Sequence, residues 1–199
     1  MMEITAKMVQ ELRELTGVGM MDCKKALKAN NGNIDEAVKY LREKGIAKAA
    51  AKSERTTKDG CIYAYVHSNS KLGVLVEVNC ETDFVARTDD FQELCKNIAM
   101  QIAASAPIAV SEDDLDPEIL SEEKEIYYKK AINDKKPENI AKKIAEGQIQ
   151  KFIKQNCLLS QEYIRDSEKT VSDIINEAVA KMGENIQVSR FTRYVLGSD

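Results

Sequence analysis

The chain has 199 residues, of which 31% are charged and 43% apolar; this suits a soluble globular protein with room for one medium domain and a small one. Aromatics make up only 6% and Trp is absent, which argues against an aromatic-rich platform for sugars or stacked bases. The net charge of −4 divides into +4 over residues 1–58 (12 Lys and Arg against 8 Asp and Glu) and −8 over residues 59–199 (17 against 25). The acidic major part makes phosphate-backbone binding a poor hypothesis, so no direct nucleic-acid partner is expected. The basic minor part could still meet an acidic protein surface.

No apolar run approaches the roughly 20 residues needed to cross a bilayer. The start, Met-Met-Glu-Ile-Thr-Ala-Lys, lacks a basic region followed by an apolar core. The expectation is therefore no membrane partner and a cytoplasmic address. Cys23, Cys61, Cys80, Cys95 and Cys157 are odd in number and include no Cys-x-x-Cys pair, and His67 is the single histidine. Zinc, iron–sulfur ligation and a disulfide framework are not expected, nor is a cofactor. Free thiols are the default reading.

The first 45 residues read as three short helices. Thr5 can cap the first, whose apolar face is Met8, Val9, Leu12 and Leu15. Thr16-Gly17-Val18-Gly19 ends it, since glycine supplies the backbone angles a reversal needs. Asp22 can cap the second, with Ala26 and Leu27 inward. Asn30-Asn31-Gly32 breaks the chain, and Asn33 with Glu36 resembles a capping box. Ile34, Ala37, Val38 and Leu41 follow at helical spacing, and Gly45 is expected to close the third helix. Residues 1–46 thus read as a small module and 47–58 as a partly helical, Ala- and Lys-rich linker.

From Gly60 the period changes. Cys61 to His67 is rich in aromatic and β-branched residues, Ser68-Asn69-Ser70-Lys71 is turn chemistry, and Leu72 to Val78 returns as a second strand. Phe91, Leu94, Cys95, Ile98 and Ile102 mark a helix that starts near Asp89 or Asp90 and stops by Pro107. Asp116-Pro117 opens another, with Ile119, Leu120, Ile126 and Tyr127 as its stripe. Pro137 restarts a helix carrying Ile140, Ala141, Ile144, Ile149, Phe152 and Ile153. The pair predicts a helical hairpin over about 117–155. A helix from Thr170 or Ser172 to about Met182 ends at Gly183, and Ile186–Val195 alternates as a strand that can pair with the 61–78 hairpin. The fold class is α+β: a three-helix bundle, a linker, then a core over 59–199 of a small antiparallel sheet packed with helices and a protruding helical hairpin.

Three constellations bear on function. Cys80, His67 and Asp83 permit a thiol nucleophile with a base on paper, but no nucleophile turn surrounds Cys80, and no phosphate-cradling Gly-rich loop exists. Neither an enzyme nor a nucleotide binder is read. Met20 and Met21, in the first interhelical turn, fill the core or form an adaptable contact patch, and sequence leaves these two readings even. Phe84 sits between Asp83 and Arg87 in the strand-to-helix connection, while Phe91 already serves the core. Offered outward, such a ring is worth roughly 1.5–3 kcal/mol in a partner's pocket.

Two segments resemble the signatures of the translation elongation factor Ts family. The first is Leu12-Arg13 with Thr16-Gly17-Val18-Gly19-Met20-Met21-Asp22-Cys23-Lys24-Lys25-Ala26-Leu27. The second is Val78-Asn79-Cys80-Glu81-Thr82-Asp83-Phe84-Val85-Ala86. Shorter matches at Ile98–Ala104, Lys136-Pro137, Glu146-Gly147, Thr170-Val171 and Phe191–Tyr194 extend the resemblance over the whole chain. It implies a guanine-nucleotide exchange factor for elongation factor Tu in its GDP-bound form, acting without covalent catalysis. It further implies that the N-terminal module is similar to a ubiquitin-associated (UBA-like) bundle and docks on the partner's G domain through Arg13, Val18, Met20 and Met21. Thr82, Asp83, Phe84 and Val85 would form the loop that dislodges the partner's Mg²⁺. Val18 stands where Ala is common. Longer members duplicate a strand–helix unit that occurs once here, and short members can dimerise to complete the core, so a homodimer is a hypothesis. The alternative to exchange is a passive scaffold with a UBA-like module, which nucleotide would not affect.

Overall fold

A computed structural model of the chain describes residues 4–198. Three helices come first: α1 (Ala6–Thr16), α2 (Met20–Ala29) and α3 (Ile34–Ala50). The Thr5 hydroxyl accepts from the Met8 amide at 3.3 Å and so caps α1. Gly17, at φ 67°, ends it by donating its amide to the Arg13 carbonyl at 2.7 Å. Asn33 caps α3 by accepting from the Glu36 amide at 3.1 Å. Val9, Leu12, Cys23, Ala26, Leu27, Ala37 and Leu41 bury together as the module's core. Fully burying Leu12 and Leu27 contributes roughly 1.5–3 kcal/mol each.

Three local expectations are corrected. Asp22 does not cap α2: the helix begins at Met20, Gly19 is the cap, and Asp22 lies within the first turn. Leu15 leaves the apolar face of α1 and is 65% exposed. Gly45 does not close α3, which runs on to Ala50. A Cβ at Gly45 would lie 3.4 Å from that of Ala180, so this buried glycine permits close helix approach rather than termination.

Strands β1 (Asp59–Val66), β2 (Leu72–Cys80) and β5 (Gln187–Val195) form an antiparallel sheet in the order β1-β2-β5. Val74, Val76, Val78 and Cys80 alternate inward along β2. Between β2 and α5 (Asp89–Ser105) lies a single helical turn, α4 (Asp83–Ala86). Phe91, Leu94, Cys95, Ile98 and Ile102 of α5 are all buried, as their spacing predicts. Helices α6 (Pro117–Asn133) and α7 (Glu138–Asn156) pack on each other. Asp116 caps α6 by accepting from the Glu118 amide at 2.9 Å, with Pro117 at the first helical position. Buried Ala131, Ala141 and Ala145 allow the close approach. The predicted stripe divides: Leu120 and Tyr127 are half-buried, whereas Ile119, Ile126 and Ile140 are exposed.

A two-stranded hairpin of β3 (Glu162–Tyr163) and β4 (Asp166–Thr170) had no signal in the sequence. Buried Gln101 of α5 holds it, donating to the Glu162 carbonyl at 3.1 Å and accepting from the Ile164 amide at 2.9 Å. Helix α8 (Val171–Met182) follows and ends at Gly183, φ 82°. The chain divides into two compact units. The first takes residues up to Cys61, Val78–Leu94 and Asp173–Gln187; the second takes Ile62–Glu77, Cys95–Ser172 and the remainder from Val188. No helix among the described residues is long and apolar enough to cross a membrane.

Candidate functional site

The site is built on the turn that β2 leads into. Cys80, the last residue of β2, is buried. Thr82 has extended backbone angles and caps α4, its hydroxyl accepting from the Val85 amide at 3.5 Å. Ala86 turns inward as the buried residue of this short helix. Phe84, two residues earlier, points the other way and is 81% exposed. That settles the question left by the sequence: the ring is no core plug, and burying it against a partner would recover apolar area now in water.

The surrounding charges are paired. Asp83 bonds the Arg87 guanidinium at 2.9 Å one helical turn on, so the ring is flanked by an ion pair instead of a bare carboxylate. Both side chains are substantially exposed, and such a pair contributes little to stability. Val85 is half-buried and shapes the inner side of the turn.

Below the turn lies a network that local sequence could not reveal. The Glu184 carboxylate accepts from the amides of Glu81 (3.1 Å) and Thr82 (3.0 Å) and from the Thr82 hydroxyl (2.7 Å). The Asn185 amide donates to the Glu81 carboxylate at 2.7 Å, and this bond, with help from Arg55 at 3.4 Å, holds the Glu81 carboxyl below its usual pKa. The Asn185 side chain donates to the carbonyls of Ser53 and Arg55. About a hundred residues separate Glu184 from Thr82, so no spacing rule applies.

Cys80 is unsuited to nucleophilic chemistry. Its thiol donates to the Thr82 carbonyl at 3.2 Å. Burial, with the Glu184 carboxylate adding to it, pushes its pKa up to about 11. A nucleophilic thiol needs the opposite shift.

The second set of sequence candidates lies on the three-helix module. Arg13 is exposed on the last turn of α1. Val18 is half-buried against the module's core, and its carbonyl accepts from the Cys23 thiol at 3.4 Å. Met20 is 44% and Met21 68% exposed. The two methionines are thus surface residues, and Leu15, which periodicity had assigned to the core, adds to the exposed apolar group on this module. Both sets of candidates belong to the same compact unit. Helix α8 supports that unit: Asp173 meets Arg42 of α3 at 3.0 Å, and Lys181 meets Asp90 of α5 at 2.6 Å.

The family profile described as "Elongation factor TS" matches residues 1–198. The chain belongs to the elongation factor Ts family. Among its relatives, the elongation factor Ts of Nitratidesulfovibrio vulgaris is 55% identical over 198 residues, covering 100% of this chain and 99% of that protein. Those of Thermotoga maritima and of Thermoanaerobacter sp. are 56% identical over 196 residues and 55% over 194, each covering 98% of this chain. Membership carries the activity: nucleotide exchange on elongation factor Tu during translation elongation, without enzymatic catalysis. The passive-scaffold alternative falls with it.

Proposed function

We propose that exchange proceeds through the Thr82–Val85 turn, with Phe84 inserted beside the nucleotide and Mg²⁺ of GDP-bound elongation factor Tu. The observation that carries this reading is a large apolar ring, 81% exposed, on a turn held from beneath by a carboxylate. The partner's Mg²⁺ bridges phosphate oxygens and protein groups and demands near-octahedral geometry, so a small displacement of its ligands weakens it. Arg13, Val18, Met20 and Met21 dock the module on the G domain and set the approach; the exposed methionines support this. Asp83, paired with Arg87, keeps a charged collar around the ring. No covalent bond forms. The turn stabilises the state in which nucleotide is loosely held, and this accelerates release.

The test is stimulated release of fluorescent GDP from elongation factor Tu at saturating protein. Phe84→Ala is expected to lower the maximal rate at least tenfold, matching loss of a contact worth roughly 1.5–3 kcal/mol. Unchanged stimulation overturns the wedge.

A homodimer is proposed as well, on a separate observation. In the second unit, Ile62, Val66, Leu75 and Tyr194 are exposed large apolar residues on the strands β1, β2 and β5, with the Arg190–Glu77 pair at 2.7 Å on the same sheet. A second copy laying the same face on this one would cover them. Light scattering at micromolar concentration is expected to give twice the chain mass, and Ile62→Lys to return it to one; a monomeric wild type removes the proposal.

A further inference from the structure

We infer that Glu184 is a positioning residue for exchange, acting through Thr82 to fix the direction of Phe84; this rests on the wedge reading above. An exposed ring has no packing of its own to orient it. Its direction is set by the backbone that carries it, and that backbone is a single helical turn of four residues, too short to be stable alone. Something outside the turn must hold it.

Glu184 does so by a relay of short contacts. One carboxylate oxygen accepts from the amides of Glu81 and Thr82, at 3.1 and 3.0 Å, and the other from the Thr82 hydroxyl at 2.7 Å. By engaging the hydroxyl proton, Glu184 turns the lone pairs of the same oxygen toward the Val85 amide that it caps. The three bonds are charge-assisted and stronger than neutral ones. Fixing Thr82 at both its amide and its hydroxyl fixes the start of α4, and hence the vector along which Phe84 leaves it.

Glu184 is itself well anchored. It follows Gly183, whose carbonyl accepts from the Lys52 ammonium, and precedes Asn185, which is 3% exposed and ties to residues 53, 55 and 81. The helix before it is joined to α3 by Arg42–Asp173 and by the close approach of Gly45 to Ala180. The clamp therefore has a rigid base running from the docking module to the turn, the arrangement expected where a ring must be preorganised.

The test is Glu184→Gln, which substitutes an amide NH₂ for one acceptor and faces it with donors. Maximal GDP-release stimulation is expected to fall roughly threefold to tenfold, with the half-saturating concentration within twofold of wild type, because docking is untouched and fewer molecules hold the ring correctly. Hydrogen exchange at the Glu81 and Thr82 amides is expected to quicken about tenfold, with the α1–α3 amides unchanged. In a Phe84→Ala background the substitution is expected to add nothing, which a merely structural role would not produce. Wild-type maximal stimulation in Glu184→Gln, or an equal loss in both backgrounds, overturns the inference. If Phe84→Ala itself has no effect, the wedge reading fails first; if it is impaired while Glu184→Gln is not, only the positioning role fails. Should Glu184→Gln not fold, Thr82→Val removes one leg of the clamp at constant volume and is expected to give the same pattern.

Discussion

Gly60→Ala offers a test of how the site's foundation is held. Gly60 has φ 147°, a region that residues with a Cβ rarely enter. A Cβ built there would lie 2.2 Å from the Val78 carbonyl oxygen and 2.7 Å from the Asn79 Cα. These atoms belong to β2, just before the turn that carries Phe84. Ordinary contact with an oxygen needs about an ångström more, and the obstacle is backbone, which cannot rotate aside. The strand pair must part locally, losing one or two ladder bonds at about 1 kcal/mol each. Backbone strain adds about 1–3 kcal/mol. The expected loss is thus roughly 2–5 kcal/mol, read as a fall in the urea midpoint at unchanged slope. A loss below about 1 kcal/mol would refute the steric reasoning. The Ala variant of Gly147 is the control, since nothing lies within 4 Å of a Cβ there.

Other consequences follow from burial and exposure. With its thiol pushed up to about 11, Cys80 is expected to react with iodoacetamide at pH 8 about a hundredfold more slowly than an ordinary thiol; comparable rates would restore the nucleophile reading. The same shift has a sign for stability. Its folded pKa lies above that of an ordinary thiol, so the contribution is full below about pH 9 and is lost as pH rises toward 11; denaturation at pH 8 and pH 11 is expected to differ by roughly 2–3 kcal/mol from this group. Met21→Glu, at a position 68% exposed, is expected to change folding stability by less than about 0.5 kcal/mol. It should raise the half-saturating concentration in GDP release at least fivefold and leave the maximal rate intact. A wild-type concentration dependence would remove Met21 from the docking surface.

Much of the fold was legible because its signals are local. Thr5, Asn33 and Asp116 cap helices by bonds to amides within three residues, and Gly17 and Gly183 end helices with positive φ. The strand hairpin and the buried face of α5 follow from periods that need only a short window. What stayed hidden depends on distant partners. Gly45 looked like a terminator because the sequence does not show Ala180 packed against it. The polar segment around Glu162–Thr170 carries no strand pattern, and its hairpin forms because buried Gln101 bonds it. Leu15 obeys helical spacing, yet the three-helix module is too small to cover every residue on that face. The exposure of Phe84 was posed as a question by its neighbours, whereas Glu184 offered no clue: an acid after a helix-ending glycine is ordinary until its carboxylate is seen gripping Thr82.

The central claim is that this chain and GDP oppose each other on elongation factor Tu through the Phe84 turn, and linkage makes that measurable. The affinity of the chain for elongation factor Tu should be determined nucleotide-free and again with saturating GDP and Mg²⁺. GDP with Mg²⁺ is expected to weaken binding by the same factor by which the chain weakens GDP, roughly 5- to 150-fold, and Phe84→Ala should bring that factor toward one. Equal affinity in the two states, or a factor untouched by Phe84→Ala, would contradict the account.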